Sequence, residues 1–309
     1  MARINTVTGP LDATALGFCQ PHEHVFTAAT PASEANPALC VDDEARSAAE
    51  LSDYRDSGGQ AVIDCQPPGA GGNPFALRRI SALSGVRIIS VTGYHMPAFY
   101  PRGHWIFTDD LSALRERFLK DLLEGVTAPG EDGSILPGAV KAAIGRDGPV
   151  DRFETCLRAA AGAAAEAGVP LILHTEAGAG AVSAVRLCES EGLDPARLAV
   201  CHVDRQASDY SVHEAVARTG AYLEYDTIAR FKYHDDESEI ALIRHMLALG
   251  YASRLLISLD TTAARLRRYG GTPGMDYILR AFIPMLARAG VSGTEIRDMT
   301  RTNPGRLFD

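Results

Sequence analysis

Residues 151–174 read DRFETCLRAAAGAAAEAGVPLILH and contain one complete helix–strand unit. Asp151 can cap a helix that runs through Ala167, because a short acidic side chain accepts hydrogen bonds from the free N–H groups of a first helical turn. Gly168 can adopt the left-handed conformation at which such a helix ends, and Pro170 prevents its continuation. The next residues, Leu171–His174, are too few for a helix and are apolar up to the final histidine. The unit therefore predicts a helix followed at once by a buried strand.

The same unit recurs along the chain on both sides of this stretch. Further short apolar runs predict strands at residues 16–20, 61–65, 86–92, 138–142, 198–202, 221–225 and 255–260. Helical patterns lie at residues 42–57, 111–125, 237–249 and 275–289, and Pro284 should kink or interrupt the last of these. Strands that alternate with helices in this way predict a parallel sheet.

Eight such units favour a closed (β/α)8 barrel, or TIM barrel, over an open doubly wound sheet. The chain has 309 residues, and barrels of this kind commonly take about 250. No stretch of the sequence has the composition of a domain linker, so we expect a single domain over residues 1–309. In a barrel the C-terminal ends of the strands form one rim, and active sites lie there.

Charge and hydropathy exclude several classes of function. Acidic side chains number 39 against 30 basic ones, for a net charge of −9, whereas nucleic-acid-binding proteins normally present a basic surface. The most apolar stretch, residues 159–173, is interrupted by Glu166 and Pro170 and is shorter than the roughly 20 residues that span a bilayer. The six cysteines are scattered without a CxxC pair, as in a reduced protein. We expect a cytoplasmic location, with neither nucleic acid nor membrane as a partner.

The strongest local signal for chemistry is His22-Glu23-His24, just after the first predicted strand. Alternate residues of an extended segment point to the same side, so both imidazoles can face the barrel interior. Neutral imidazole is a standard ligand for Zn²⁺ and similar ions. Two solvent-exposed loop histidines would give the same pattern, and the motif alone leaves that alternative open.

Other predicted strands end in residues of the same chemical type. His174 ends the fifth predicted strand, His202 the sixth and Asp260 the eighth. Each has an ordinary explanation when taken alone, such as a buried hydrogen-bonded histidine or a capping aspartate. Together on one rim, however, three histidine-bearing strand ends and an acidic one predict a metal site at the active end of the barrel.

Lys141 is the unusual member of the set, because it lies on the fourth predicted strand among apolar neighbours. A buried lysine has a lowered pKa and can react as the neutral amine. Carboxylation by CO₂ would convert it into an anionic oxygen ligand able to bridge two metal ions. A surface lysine with an ordinary salt bridge is the alternative.

These motifs, taken as a set, resemble the phosphotriesterase family of the amidohydrolase superfamily. The segment from TGPL (8–11) through LG (16–17) to HEH (22–24) resembles the opening of that family. VKAA (140–143) resembles its strand-four lysine motif, and LHTE (173–176) and CHVD (201–204) resemble its histidine motifs on strands five and six. The resemblance covers nearly the whole chain, to Asn303-Pro304 near its end.

The resemblance implies a binuclear metal centre. In the family pattern, His22, His24 and Asp260 would hold the more buried ion, and His174 and His202 the more exposed one. Carboxylated Lys141 and a hydroxide would bridge the pair. The expected cofactors are two divalent cations, zinc foremost, with manganese or cobalt as alternatives.

The loops narrow the expected substrate to a small molecule of one type. Segments 92–106, 225–233 and 265–271 resemble the family members that hydrolyse phosphorylated sugar lactones. That resemblance implies substrate binding by Tyr94, Lys232, Arg265 and Tyr269, the last three around the phosphate. Arg267 or Arg268 can take the arginine role instead, because the segment after the strand-eight aspartate is slightly shorter than in the family pattern. Solvent-exposed loop charges are the other explanation for these cations.

The parts imply a hydrolytic mechanism. A bridging hydroxide would attack the lactone carbonyl, and Asp260 would accept its proton. A neutral lactonase, an esterase or a phosphotriesterase on the same site remains an alternative, and so does a metal-binding barrel without catalytic activity. We expect a homodimer, because symmetric dimers are the commonest assembly.

Overall fold

The computed structural model describes residues 3–309. Its strands are β1 (Arg3–Thr6), β2 (Gly9–Asp12), β3 (Cys19–Glu23), β4 (Ala61–Asp64), β5 (Arg87–Ile89), β6 (Val91–Gly93), β7 (Ala139–Ala143), β8 (Leu171–His174), β9 (Leu198–Cys201), β10 (Tyr222–Tyr225) and β11 (Leu255–Ile257). Its α-helices are α1 (Pro31–Ala35), α2 (Glu44–Asp56), α3 (Pro74–Ser84), α4 (Leu111–Glu124), α5 (Arg152–Ala167), α6 (Ala181–Ser190), α7 (Ser211–Ala217), α8 (Asp236–Ala248), α9 (Ile283–Arg288), α10 (Gly293–Arg297) and α11 (Asn303–Arg306).

The parallel strands follow one another around the molecule in sequence order. One sheet contains β3, β4 and β5, and the other runs from β6 to β11, with every neighbouring pair parallel. β5 and β6 are two pieces of the third predicted strand, separated only by Ser90. The two sheets are therefore continuous through this strand, and the expected eight parallel strands are present.

The remaining seam lies between β11 and β3, where side chains supply most of the contacts. The N–H of Asp260 donates to the His22 carbonyl at 3.2 Å. The Glu23 carboxylate accepts from the N–H groups of Leu259 at 2.9 Å and of Thr261 at 3.1 Å. In the part of the chain that the structure describes, no β-ladder pairs these two strands. The seam thus brings the first and last barrel strands together, as the predicted (β/α)8 architecture requires.

Two apolar layers hold the barrel. Small and branched side chains such as Cys19, Ile63, Ala199 and Leu256 fill its interior, and a larger layer packs between the strands and the outer helices. The antiparallel β1–β2 hairpin, which the sequence analysis did not identify, adds Ile4 to the interior layer. All six cysteines are free thiols.

The capping of α5 differs from the expectation, although its bounds do not. The helix ends before Gly168, which adopts the left-handed φ of 67°. At its start, however, the Asp151 side chain accepts no capping hydrogen bond within the described residues 3–309, so the predicted cap is wrong. Asp151 has a φ of 50°, whereas a capping residue is normally extended. The carbonyl of Val150 instead accepts from Phe153 and Glu154.

The predicted interruption at Pro284 is confirmed. A π-helical turn, Ile278–Phe282, precedes α9, and Pro284 lies in the first turn of that helix. Proline has no N–H to donate, and it is best tolerated where the helix begins anew. Helices α3, α6 and α7, and the short helices α1, α10 and α11, occupy stretches that the sequence analysis left unassigned. Among residues 3–309, no helix combines the length and apolar character needed to cross a membrane.

Candidate metal centre and active site

The structure brings all the predicted metal ligands together at the C-terminal rim. They come from different strands: His22 and His24 from β3 and the residue after it, Lys141 from β7, His174 from β8, His202 from the residue after β9, and Asp260 from the loop after β11. His24 is partly exposed and the other five side chains are buried. The convergence follows from the fold, because parallel strands end at a common rim.

One group of ligands surrounds Asp260. Its Oδ1 atom lies 3.4 Å from Nε2 of His24 and 3.9 Å from Nε2 of His22, and one ligand atom from each residue lies within 4.8 Å of the others. In the described part of the chain, the buried Nδ1 atom of His24 has no hydrogen-bond partner. The Lys141 ammonium lies 3.2 Å from Nε2 of His22. Two imidazoles and a carboxylate form a donor set that fits a divalent transition metal.

A second pair of histidines lies beside this group. Nε2 of His202 and Nδ1 of His174 are 2.9 Å apart. His22 and His202 stack with ring centroids 4.8 Å apart, so the two groups adjoin. Two ring nitrogens that face each other at this distance can also converge on one cation. The donors therefore lie in two neighbouring groups, and these contain the residues that the family resemblance assigns to the two ions.

Asp226, which follows β10, sets the orientation of one histidine from each group. Its Oδ1 accepts from Nδ1 of His202 at 2.6 Å, and its Oδ2 lies 3.0 Å from Nδ1 of His22. A carboxylate only accepts, so His202 carries its proton on Nδ1 and presents an unprotonated Nε2 to the centre. The contact with His22 is within ion-pair distance but outside hydrogen-bond geometry. Burial opposes the ionisation of Asp226, but these two histidines hold its pKa below the ordinary value.

The electrostatics of the site favour neutral imidazoles. Burial, followed by the charge of Lys141, lowers the pKa of His22 to about 4. Burial likewise lowers the pKa of His202 well below its ordinary value, and that of His174 to a smaller extent. Metal ligands must be unprotonated, so the three side chains are in the required state at neutral pH.

Ion pairs and hydrogen bonds fix both the side chain and the backbone of Asp260. Arg230 pairs with its Oδ2 at 2.9 Å and also donates to its backbone carbonyl, and Arg205 lies 3.4 Å from the same carboxylate oxygen. Glu23 binds the N–H groups on both sides of it. Its backbone has a left-handed φ of 50°, and that of His202 has a φ of 64°. Such conformations cost about 1–3 kcal/mol each and are retained where the surrounding contacts fix a functional side chain.

A cavity of about 660 Å³ lies above the metal ligands. Its floor includes His24, His174, His202 and Asp260, and its walls combine the apolar side chains of Leu39, Met96, Phe99 and Phe231 with the cations of Arg205, Arg230, Lys232 and Arg265. Most ligand sites are apolar clefts with a few converging polar groups. The candidate metal ligands at the floor and the cations at the wall therefore line the same cavity.

The predicted substrate-binding residues lie in different places. Lys232 is exposed at the pocket wall, with Nζ 4.7 Å from the ring centroid of Tyr233. Arg265 also reaches the wall, but it is buried and its guanidinium donates to the carbonyls of Ile228 and Ala229. These bonds hold the loop after β10 in place, so Arg265 supports that loop.

The two predicted tyrosines lie outside the residues that line the pocket. The Tyr94 side chain is buried, and its hydroxyl donates to the Ala143 carbonyl at 2.8 Å. The Tyr269 hydroxyl lies 2.8 Å from the Asp43 carbonyl and 2.8 Å from the Ser47 hydroxyl. A substrate contact by either tyrosine would require these hydrogen bonds to break.

Sequence reasoning assigned no role to three residues of the site. Asp226 carries the same signal as Asp260, since it is an acid directly after an apolar strand. Arg205 directly follows the strand-six motif and Arg230 lies within segment 225–233, but nothing in the sequence pattern shows that both guanidinium groups turn toward Asp260. Their role depends on loop conformation.

Comparisons with known proteins agree with this site. The sequence profile of the phosphotriesterase family matches residues 2–308. A phospho-furanose lactonase of Mycoplasmopsis agalactiae is 26% identical over 99% of the chain and 91% of its own length. The crystal structure of a lactonase from Listeria monocytogenes superimposes with a TM-score of 0.92 at 26% identity, over 100% of this chain and 99% of that one. The phosphotriesterase homology protein of Escherichia coli, whose crystal structure has phosphate in the active site, gives a TM-score of 0.86 at 27% identity, over 97% of this chain and 100% of that one.

Proposed function

Since the chain belongs to the phosphotriesterase family and is a metal-dependent hydrolase of lactones or esters, we propose that its substrate is a sugar lactone that carries a phosphate or another anionic group. The observation that carries this proposal is the exposed ammonium group of Lys232 at the pocket wall, beside the guanidinium groups of Arg205 and Arg230, which also pair with Asp260. Guanidinium and ammonium groups are the usual partners of phosphate and carboxylate. The phospho-furanose lactonase and the phosphate-containing relative described above support the same substrate class.

The pocket floor fits the proposed pair of divalent cations, zinc foremost. His22, His24 and Asp260 would hold one, His174 and His202 the other, and Lys141, if carboxylated, would contribute to both. Bound there, the cations would lower the pKa of a water molecule and polarise the substrate carbonyl. The buried position of Lys141 beside His22 supports this role, because an unmodified ammonium would repel a cation.

The side chains of the chain supply positioning and proton transfer. Asp260 is the proposed proton acceptor for the attacking water, and the same carboxyl group can return the proton to the alkoxide that leaves when the lactone C–O bond breaks. Arg230 restrains this carboxylate from one side and Glu23 holds its backbone from the other. Lys232 lies at the exposed wall, where it can bind the anionic end of a substrate whose carbonyl faces the floor.

The proposed substrate class is tested by comparing sugar γ-lactones with and without a phosphate, on protein whose metal content has been measured. One charge-assisted hydrogen bond contributes about 1.5–3 kcal/mol, so we expect kcat/KM to be higher for the phosphorylated lactone by about 10-fold or more. A preference for the neutral lactone would support the hydrolase activity but would contradict the proposal that the substrate is anionic. Turnover of neither compound would direct the search to other esters and to phosphotriesters.

Replacement of Lys232 by alanine tests the cation at the wall separately. We expect KM for the phosphorylated lactone to rise by about 10-fold, because one charge-assisted contact is lost. The kcat for this lactone and the KM for the neutral lactone should change little. Lys120→Ala is the matched control, since Lys120 is an exposed lysine on the outer helix α4. Equal losses on charged and neutral lactones would contradict a phosphate contact by Lys232.

A further inference from the structure

A second group of metal-binding side chains lies beneath the loop that follows β10. It consists of Asp204 after β9, His234 in the loop and Glu239 on α8, and we call it the loop cluster. One ligand atom from each lies within 4.8 Å of the others. None of the three lines the pocket, and none belongs to the ligand set discussed above.

The carboxylates of the loop cluster are buried without adequate partners. Asp204 and Glu239 are both fully buried. Both oxygens of Glu239, and Oδ1 of Asp204, have no hydrogen-bond partner in the described part of the chain. Arg205, the neighbour of Asp204 in sequence, directs its guanidinium to Asp260 and Glu176 instead. Buried carboxylates are normally paired with a cation or bind a metal, so the cluster lacks a positive charge.

The tautomer of His234 adds a further acceptor without a donor to the loop cluster. Its Nδ1 lies 3.0 Å from the Asp235 carbonyl, which can only accept, so Nδ1 carries the proton and Nε2 of the neutral ring has a free lone pair. That Nε2 is 3.1 Å from Oε2 of Glu239, outside hydrogen-bond geometry, and 3.3 Å from the Thr227 hydroxyl. The hydroxyl hydrogen of Thr227 is already used on Asp204 at 2.8 Å. Lone pairs therefore face one another across the loop cluster.

Protonation satisfies this arrangement only in part. Burial raises the pKa of both Asp204 and Glu239, so protons on these carboxyl groups or on Nε2 of His234 compete with a cation. Each proton serves a single contact, whereas three carboxyl oxygens lack partners in the described part of the chain. A divalent cation can contact all three side chains at once, and its charge balances two carboxylates. One imidazole nitrogen with carboxylate oxygens is a donor set typical of zinc, and the Thr227 hydroxyl lies within reach as a further oxygen.

We propose that Asp204, His234 and Glu239 bind a zinc ion that is separate from the catalytic centre and fastens the loop after β10. That loop carries Arg230 and Lys232, and the three ligands would join it to the end of β9 and the first turn of α8. The ion would have a structural role, since the cluster is away from the pocket and the Thr227 hydroxyl can complete a closed set of four protein ligands.

The test compares the zinc content of the wild-type chain and the Glu239→Gln variant after removal of loosely bound metal. We expect the variant to lose about one zinc per chain, because a neutral amide is a poor zinc ligand. Glu237→Gln is the matched control, since Glu237 is exposed on the same helix, and it should retain the wild-type content. The difference between the counts does not depend on how many ions the pocket holds, so failure of the proposed function would leave this result unchanged.

A second measurement follows the protection of the loop. Hydrogen exchange of residues 226–239 in the wild-type chain, with and without added zinc, should show slower exchange when zinc is present. His234→Gln should abolish that protection as Glu239→Gln does. Equal zinc content in wild-type and Glu239→Gln protein, or loop protection that does not respond to zinc, would overturn the proposal and would show that protons hold the loop cluster together.

Discussion

Replacement of Asp260 by asparagine is expected to lower kcat for lactone hydrolysis by about 10³-fold, in the range found when a positioned general base is removed. The amide cannot accept a proton from water at neutral pH, so the proposed transfer step is lost. The side chain nearly keeps its volume, and the backbone contacts with Glu23 and His22 do not involve the carboxylate. The fold should therefore survive.

The measurement is kcat with the metal content of each sample determined in parallel, because Asp260 is also a proposed ligand. Asp132→Asn, at an exposed loop position, serves as the control for the same chemical change. Turnover within a few-fold of wild type at equal metal content would refute proton transfer by Asp260. Lost turnover that excess zinc restores would assign Asp260 to metal binding alone.

Replacement of Asp226 by asparagine should weaken metal retention and turnover by roughly 10- to 100-fold, the usual effect of losing a partner that orients a ligand. The carboxylate faces Nδ1 of both His202 and His22. An asparagine offers one acceptor oxygen and a donating amide, so only one of the two oxygens that now face these rings would be kept. One of the histidines would lose its partner, and its Nε2 would no longer be fixed toward the centre.

For Asp226→Asn, metal retention is measured as the rate of metal release into a chelator, and turnover as kcat/KM at increasing zinc concentration. Excess zinc should recover much of the activity of Asp226→Asn, because the ligands themselves remain. An unchanged release rate would show that the two histidines are held adequately by their packing. Loss of activity that zinc cannot recover, with normal metal content, would show instead that Asp226 acts on the chemistry directly.

The parts of the site that the sequence predicted are those fixed by strand position. His174, His202 and Asp260 end apolar runs, and parallel strands end at a common rim, so their convergence follows from the pattern alone. The spacing of His22 and His24 carries the same information within one strand end. Lys141 was identified by its apolar neighbours, and the structure places it beside His22.

The parts that sequence reasoning could not supply depend on side-chain direction in loops. A tyrosine near the rim can point into the pocket or away from it. The hydroxyls of both Tyr94 and Tyr269 donate hydrogen bonds to backbone carbonyls of neighbouring chain segments. Arg205 and Arg230 come from different loops and meet only because those loops fold toward Asp260. The β1–β2 hairpin was missed because its short strands lack an apolar run.

The seam between β11 and β3 determines the order in which activity and structure are lost under mild denaturation. Other neighbouring strands are joined by ladders of backbone hydrogen bonds. This pair is joined by one backbone hydrogen bond, from Asp260 to His22, and by side-chain hydrogen bonds of Glu23, Ser258 and Thr261. Local opening needs least free energy where few such bonds must break. Opening at the seam would separate His22 and His24 from Asp260 while the six-stranded sheet stays intact. Inactivation should then precede the main unfolding transition, so an activity assay would report a lower apparent stability than spectroscopy does.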